Sequence, residues 1–355
     1  MIRSSLLAAS LILASHNALA HPTRLANAVE HGTAHCLMKP AQASDTTVCE
    51  VSAMVRVGDR LILANDKPIP GGSKLFSLPL EKDRIGDAPP TYLKGQAIEQ
   101  SRKLEAMTLT LDGLHVIAST GFNRVGDERD ASFDAYSTLL YWPANQPENA
   151  RVVAPSTRQG MTSSRALRGQ IARAVGAPFF QVEGLSVAPG NRLLLGIRKQ
   201  GQDYQSATDV FKIVAAPFSI DNGMLRLQGD FELLFEFTPQ VPGEGKPLGL
   251  SSIEYDRFNH DALLALTSFE DETSIGGYLW SIPIQPLLAR KPVTPELFVD
   301  GMGAPLRFGN KPEGLELLDA STLLIVHDDD RMQVGTGSDS QASGPDEFAF
   351  STVKF

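Results

Sequence analysis

The chain has 355 residues, 42% of them hydrophobic, and its 32 basic and 41 acidic side chains leave a formal net charge of −9. That balance excludes nucleic acid as an expected partner, because a phosphate backbone is gripped by a basic face that releases its counterions. It fits a solvated acidic surface, or a cation held near carboxylates.

Residues 1–20 read as a secretion signal: Met1-Ile2-Arg3 is a positive start, Leu6 to Ala14 an apolar run, and Ala18-Leu19-Ala20 a small-residue cleavage site. The expected mature domain is 21–355, exported to the periplasm or secreted, with a retained N-terminal anchor as the alternative. A bilayer span takes about 20 apolar residues, and no stretch of this chain reaches that length. Cys36 and Cys49 follow, the only cysteines. In an oxidising compartment such a pair forms a disulfide, stabilising by about 3 kcal/mol in the chain-entropy picture. His31, His35 and Cys36 are a zinc alternative that lacks further ligands.

Length alone allows one large domain or two ordinary ones, so internal repetition has to decide. A pattern of Glu or Ser, a small residue and Met, Leu or Ile, with an aliphatic run about ten residues later, occurs five times. The copies begin at Ser52, Glu105, Glu183, Ser251 and Glu313, at spacings of 53, 78, 68 and 62. Each reads as strand, turn, strand: Glu105, Met107, Leu109 and Leu111 alternate at period two before Asp112-Gly113 turns the chain. Third and fourth strands follow in most units, as at Ser137 to Trp142 with Arg151 to Ala154, and at Gly277 to Ile284 with Leu297 to Asp300.

Repeated four-stranded units predict an all-β chain folded as a single β-propeller, with five four-stranded blades and six as the alternative if the 78-residue interval hides another unit. The last unit has only Asp346 to Phe355 as a third strand, so the segment around His35 to Met38 is expected to supply its outer strand and close the ring. One inserted helix is predicted after Ser163 or Ser164, with Leu167, Ile171 and Val175 on one face and Gly176 and Pro178 ending it. It is expected across one end of the ring, with Arg165, Arg168 and Arg173 as a solvated face or a lip over a ligand opening. Gln333 to Pro345, rich in Gly, Ser and Asp, reads as a surface loop.

In a propeller the first strands line the axis, so Ser52, Glu105, Glu183, Ser251 and Glu313 should converge. Glu105, Glu183 and Glu313 are therefore candidate ligands for a hard cation such as calcium, which takes 6 to 8 oxygens. The competing reading has these carboxylates accept backbone N–H bonds that pin blade to blade. A second polar set gathers where second strands end: Asn65-Asp66-Lys67, Ser119-Thr120, Arg198-Lys199, Ser268 with Glu270-Asp271, and His327-Asp328-Asp329-Asp330-Arg331. Arg198, Lys67, Asp66 and His327 are candidate groups for a phosphorylated or acidic ligand, and Asp328 is a candidate to orient water. No Gly-x-Ser-x-Gly elbow, Walker loop or His-Glu-x-x-His helix is present.

The phrases Lys103-Leu104-Glu105-Ala106-Met107, Val182-Glu183-Gly184-Leu185 with Leu195-Gly196-Ile197-Arg198, and Lys311-Pro312-Glu313-Gly314-Leu315 ending in His327-Asp328-Asp329 carry a resemblance. They look like the domain-of-unknown-function 3616 family of exported bacterial proteins, related to the phytase-like ("esterase-like activity of phytase") propellers. The likeness runs from about residue 50 to about residue 330 and rests on the order and spacing of short motifs. It implies a propeller fold, an exported location and phosphoester hydrolysis with calcium. Ser52 and Ser251 depart from the acidic residue of the other repeats. The alternative function is a non-catalytic propeller of the cell envelope that binds a ligand or protein; a monomer is expected in either case.

Overall fold

All five repeats become the innermost strands of five antiparallel sheets in the computed structural model, which describes residues 22–38, 49–125, 130–328 and 343–355. Blade I runs outward from Val51–Val57 through Arg60–Asn65 and Leu75–Glu81 to Thr91–Leu93. Blade II comprises Leu104–Leu109, His115–Thr120, Leu139–Pro143 and Arg151–Val152. Blade III comprises Phe179–Ala188, Arg192–Gly201, Thr208–Asp221 and Glu232–Phe237. Blade IV is built from Gly249–Tyr255, Ala262–Glu270, Ile275–Pro283 and Glu296–Val299. Blade V runs from Pro312–Asp319 through Thr322–His327 and Glu347–Lys354 to Ala28–His35. The innermost strands touch in the order I, II, III, IV, V and back to I. The described residues thus form a five-bladed ring.

Burial explains the closure. The innermost strands are enclosed along nearly their whole length, because each sheet has a neighbour on both faces. The apolar residues sort into five cores, one per blade junction. Trp142 and Leu140 of blade II meet Val55 and Ile62 of blade I, and Trp280 of blade IV meets Ile213 and Leu194 of blade III. Burying a large apolar side chain contributes about 1.5–3 kcal/mol relative to exposure, so opening one junction exposes a whole core.

The glycine of the third and fifth repeats has its cause here. A Cβ on Gly184 would lie 3.0 Å from Ile253 Cγ1 and Leu250 Cδ2 of the next blade, and one on Gly314 would lie 2.9 Å from Val326 Cγ2 and 3.4 Å from Met54 N. Near the axis adjacent strands approach too closely for a larger side chain.

Both chain ends seal the ring. Ala28–His35 pairs antiparallel with Glu347–Lys354 over its full length, so the closing strand lies earlier than the expected His35 to Met38. Before it, Thr23–Leu25 adds a parallel strand to the outer edge of blade IV, where Arg24 stacks on Phe298 and Phe355. One N-terminal segment therefore stitches blade IV to blade V. Cys36 and Cys49 form the expected disulfide, tying the end of the closing strand to the start of blade I.

Among the described residues no sixth blade fills the long interval. It holds the hairpin Ser156–Arg158 with Met161–Ser163 and the predicted helix, Arg165–Val175, ended by Gly176 in the left-handed conformation (φ 83°). Leu167, Ile171 and Val175 enter the core between blades II and III. Ser164 occupies the N-cap, but its Oγ donates to Val153 O (2.6 Å) instead of capping the helix. Its arginines are engaged: Arg165 faces Asp134 at 3.5 Å, Arg173 faces Asp230 at 3.2 Å, and Arg168 donates to Phe122 O while covering the Phe180 ring. The signal read at 1–20, Asp329, Asp330 and Arg331, and most of the loop Gln333 to Pro345 lie outside the described residues.

Two outcomes follow for stability. Replacing Cys36 and Cys49 by Ser is expected to lower unfolding free energy by about 2–3 kcal/mol in urea titrations, since they stand 13 positions apart. His327 is enclosed in blade V, with Nε2 2.8 Å from Ser351 Oγ and the ring against Phe308. Burial, then repulsion from His31, pushes its pKa from 6.5 down to about 3. The unfolded chain takes up this proton first, so the contribution is present above pH 6.5 and is lost as pH falls from about 6.5 to about 3. In urea melts at pH 7 and pH 4, His327→Gln should show a smaller acid-induced loss than the parent.

Candidate functional site

Strand register at the axis is broken at one equivalent position in every blade. Pairing slips between Val51 and Ala53, Leu104 and Ala106, Val182 and Gly184, Leu250 and Ser252, and Pro312 and Gly314. The residues left out of the ladder are Ser52, Glu105, Glu183, Ser251 and Glu313, the five repeat positions. A β-bulge re-aims a side chain and ends regular pairing, and such bulges gather next to functional sites.

Three of the five meet. Carboxylate oxygens of Glu105, Glu183 and Glu313 all lie within 4.8 Å of one another, with the residues 2%, 2% and 3% exposed. Ser52 Oγ donates to Leu104 O (2.6 Å), a tie between blades I and II. Ser251 Oγ is buried without a hydrogen-bond partner. The acidic trio forms the floor of a cavity of about 560 Å³ on the axis, also lined by Asp66, Arg198 and Asp328 from the second polar set.

Internal cations hold the trio. Lys103 Nζ donates to Glu105 Oε1 (2.7 Å) and faces Asp66 at 3.1 Å. Lys311 Nζ lies 3.1 Å from Glu313 and 2.9 Å from Glu270. Arg198 stands between Glu313 (3.4 Å), Glu183 (3.9 Å), Asp209 (3.9 Å) and Glu270 (4.0 Å). Gln181 Nε2 donates to Glu183 Oε1. Burial opposes ionisation of Arg198, but Glu183 and Glu313 outweigh it and raise its pKa.

These cations are shared among six carboxylates, so negative charge is left over. Burial pushes Glu105 well above the usual carboxylate range despite Lys103. Burial, with the charge of Glu313 next, raises Glu183 to about 7. Across the whole lining, nine carboxylates face five Lys and Arg side chains. An enclosed site of this kind takes up a proton or a cation.

Further oxygens are available. Asn123 lines the cavity, is 6% exposed, and its Oδ1 has no hydrogen-bond partner; neither has Oδ1 of Asp66 or of Asp209. Asn123 sits beside Glu105: a point one Cβ out from Gly121 is 3.2 Å from Glu105 Oε1 and 3.3 Å from Asn123 Cγ. The inserted helix fixes this stretch through Arg168 on Phe122 O, with Phe122 stacked on Phe180. Phe122 (φ 53°) and Lys103 (φ 60°) are both left-handed. Such backbone is held at a cost of about 1–3 kcal/mol each and clusters at binding sites.

Two predicted site residues lie elsewhere. Lys67 is absent from the cavity lining and pairs with the buried Glu50, and His327 is enclosed as described above. Ser119 and Thr120 bond to nearby carbonyls. Asp271 faces Lys246 at 2.6 Å and lines the rim. His31 Nδ1 lies 2.9 Å from Ser351 Oγ, and Cys36 is spent in the disulfide, so the zinc alternative loses a ligand. The residues missed as site members, Lys103, Lys311 and Asn123, had a partial signal. Lys-x-Glu occurs at 103–105 and 311–313, with Gln181 in the matching place of the third repeat.

No protein-family description matches the chain, and no curated protein sequence does. Solved structures are similar in shape only. The α-L-arabinofuranosidase of Podospora anserina in complex with cellotriose has a TM-score of 0.44 at 7% identity, covering 94% of this chain and 98% of that one. A putative glycoside hydrolase from Parabacteroides distasonis has a TM-score of 0.44 at 8% identity, covering 96% and 95%. A chain from the outer-coat vertex of COPII on membranes has a TM-score of 0.35 at 10% identity; 78% of this chain matches, spanning 55% of that one. The propeller assignment rests on the sheet topology.

Proposed function

We propose that the axial cavity is a calcium-dependent hydrolytic site acting on a small phosphorylated ligand, in a protein exported to the periplasm or beyond. One observation carries the reading: three buried carboxylates share a point of convergence beneath an open cavity whose lining is acidic in excess. The donor set consists of oxygens without His or Cys, which suits a hard cation, and Asn123 Oδ1 adds a neutral oxygen that lacks any other partner.

Calcium, when bound, supplies Lewis-acid polarisation of a phosphoryl oxygen. The chain's own residues do the rest. Lys103, Arg198 and Lys311 orient the carboxylates, as partners behind a ligand do. Arg198 is thus moved from a substrate-binding to a positioning role, because its guanidinium is enclosed by four carboxylates. Lys199 and Arg124 on the lining are more accessible and meet the anionic ligand, whereas Asp66 is held by Lys103 as a further oxygen of the acidic set. Asp328, on the same lining, orients water.

A second reading, binding without turnover, is favoured by the internal ion pairs, which already offset part of the charge of the trio. The disulfide fits an oxidising compartment in either case. No described helix is long and apolar enough to cross a membrane.

Calorimetric titration of calcium into metal-free full-length protein, with melting curves and phosphate release from phytate or an aryl phosphate, tests both. Calcium is expected to raise Tm, and Glu183→Gln to abolish that rise. Arg198→Lys should weaken calcium binding by roughly 10- to 100-fold. Calcium binding without phosphate release over a range of pH leaves the second reading standing and removes the first. Phosphate release overturns the second reading, whereas an absence of calcium binding overturns the first and leaves the second ahead.

A further inference from the structure

A basic cavity lies beside the acidic one. Lys74, Lys94 and Arg102 line a pocket of about 270 Å³ in which Glu99 is the only acidic residue. Two segments build it: the loop that leaves the second strand of blade I, and the stretch that leads into the innermost strand of blade II. Asp66 and Lys103, on those same segments, line the axial cavity, so the two cavities are neighbours.

The arrangement concentrates positive charge in a chain whose net charge is −9. Lys74 is fixed by backbone, its Nζ donating to Ser101 O and to Glu99 O (3.3 Å). Burial, then the field of Arg102, lowers its pKa to about 8. Lys94 and Arg102 are exposed. Among the described residues Lys74, Lys94 and Arg102 make no salt bridge, and Glu99 is the carboxylate whose field reaches Lys74. Apolar Pro68 and Ile69 complete the wall. Ammonium and guanidinium groups that line one small pocket repel one another unless an anion joins them. A planar guanidinium and two ammonium groups suit the oxygens of a tetrahedral anion.

We propose that this pocket binds a small, multiply charged oxyanion of the phosphate or sulfate class. The proposal uses none of the groups assigned to calcium and stands independently of the axial chemistry. The test is a titration of inorganic phosphate and of sulfate into calcium-free full-length protein, followed by melting temperature and calorimetry, with sodium chloride at matched ionic strength as reference. A saturable rise in Tm with phosphate or sulfate beyond that with chloride is expected, and Lys94→Gln with Arg102→Gln should remove it while leaving the anion-free Tm unchanged. Glu99→Gln should tighten binding several-fold by deleting the one opposing carboxylate. A rise equal to that with chloride, or one that persists in the double variant, overturns the proposal.

Discussion

Everything in this fold follows from a mismatch between what one small sheet can bury and what it exposes. Each blade has two apolar faces, and the five cores lie between blades rather than within them. No blade therefore has a core of its own, and the chain must come round on itself. The last junction is the hardest to make, because its partners lie at opposite ends of the sequence. The N-terminal segment meets that demand three times: as the outer strand of blade V, as a parallel strand on blade IV, and through the disulfide to blade I.

Ring closure also concentrates charge. Five innermost strands running beside one axis leave space there for few side chains, and the bulge in each strand turns one side chain out of the ladder. Three of these are glutamates, and taking carboxylates out of water is costly without partners. The chain supplies Lys103, Arg198 and Lys311, and also places Gln181 on Glu183. A further buried pair lies three residues beyond the bulges of blades IV and V. There Arg257 donates to Glu254 at 2.8 Å, and burial, with Glu254 next, lifts Glu316 to about 8. That layer has no place in the axial cavity lining, which holds the bulge glutamates instead.

The mixed polar rim shows why residue type alone could not sort cavity-lining groups from those packed away from the cavity. Asp66, Arg198 and Asp328 reach the cavity, whereas Lys67 and His327, one residue away from Asp66 and Asp328, do not. Near a strand end, neighbouring side chains point in different directions, and the bulges shift that alternation. His327 is taken into the blade V packing by Ser351 and Phe308, and Lys67 by Glu50. Asn123 was silent in sequence because its position depends on a left-handed Phe122 clamped by a helix more than forty residues further on, at Arg168.

The sequence by itself determined the all-β class, the five repeated units, the disulfide pair and the convergence of Glu105, Glu183 and Glu313. It did so because each of these is carried by local periodicity or by a pattern repeated at the same place in successive units. Tertiary structure decided which strand closes the ring, how the long interval is spent, which cations neutralise the trio and where a basic pocket adjoins it. Those features depend on contacts between segments far apart in the chain, whose direction and distance no local pattern encodes.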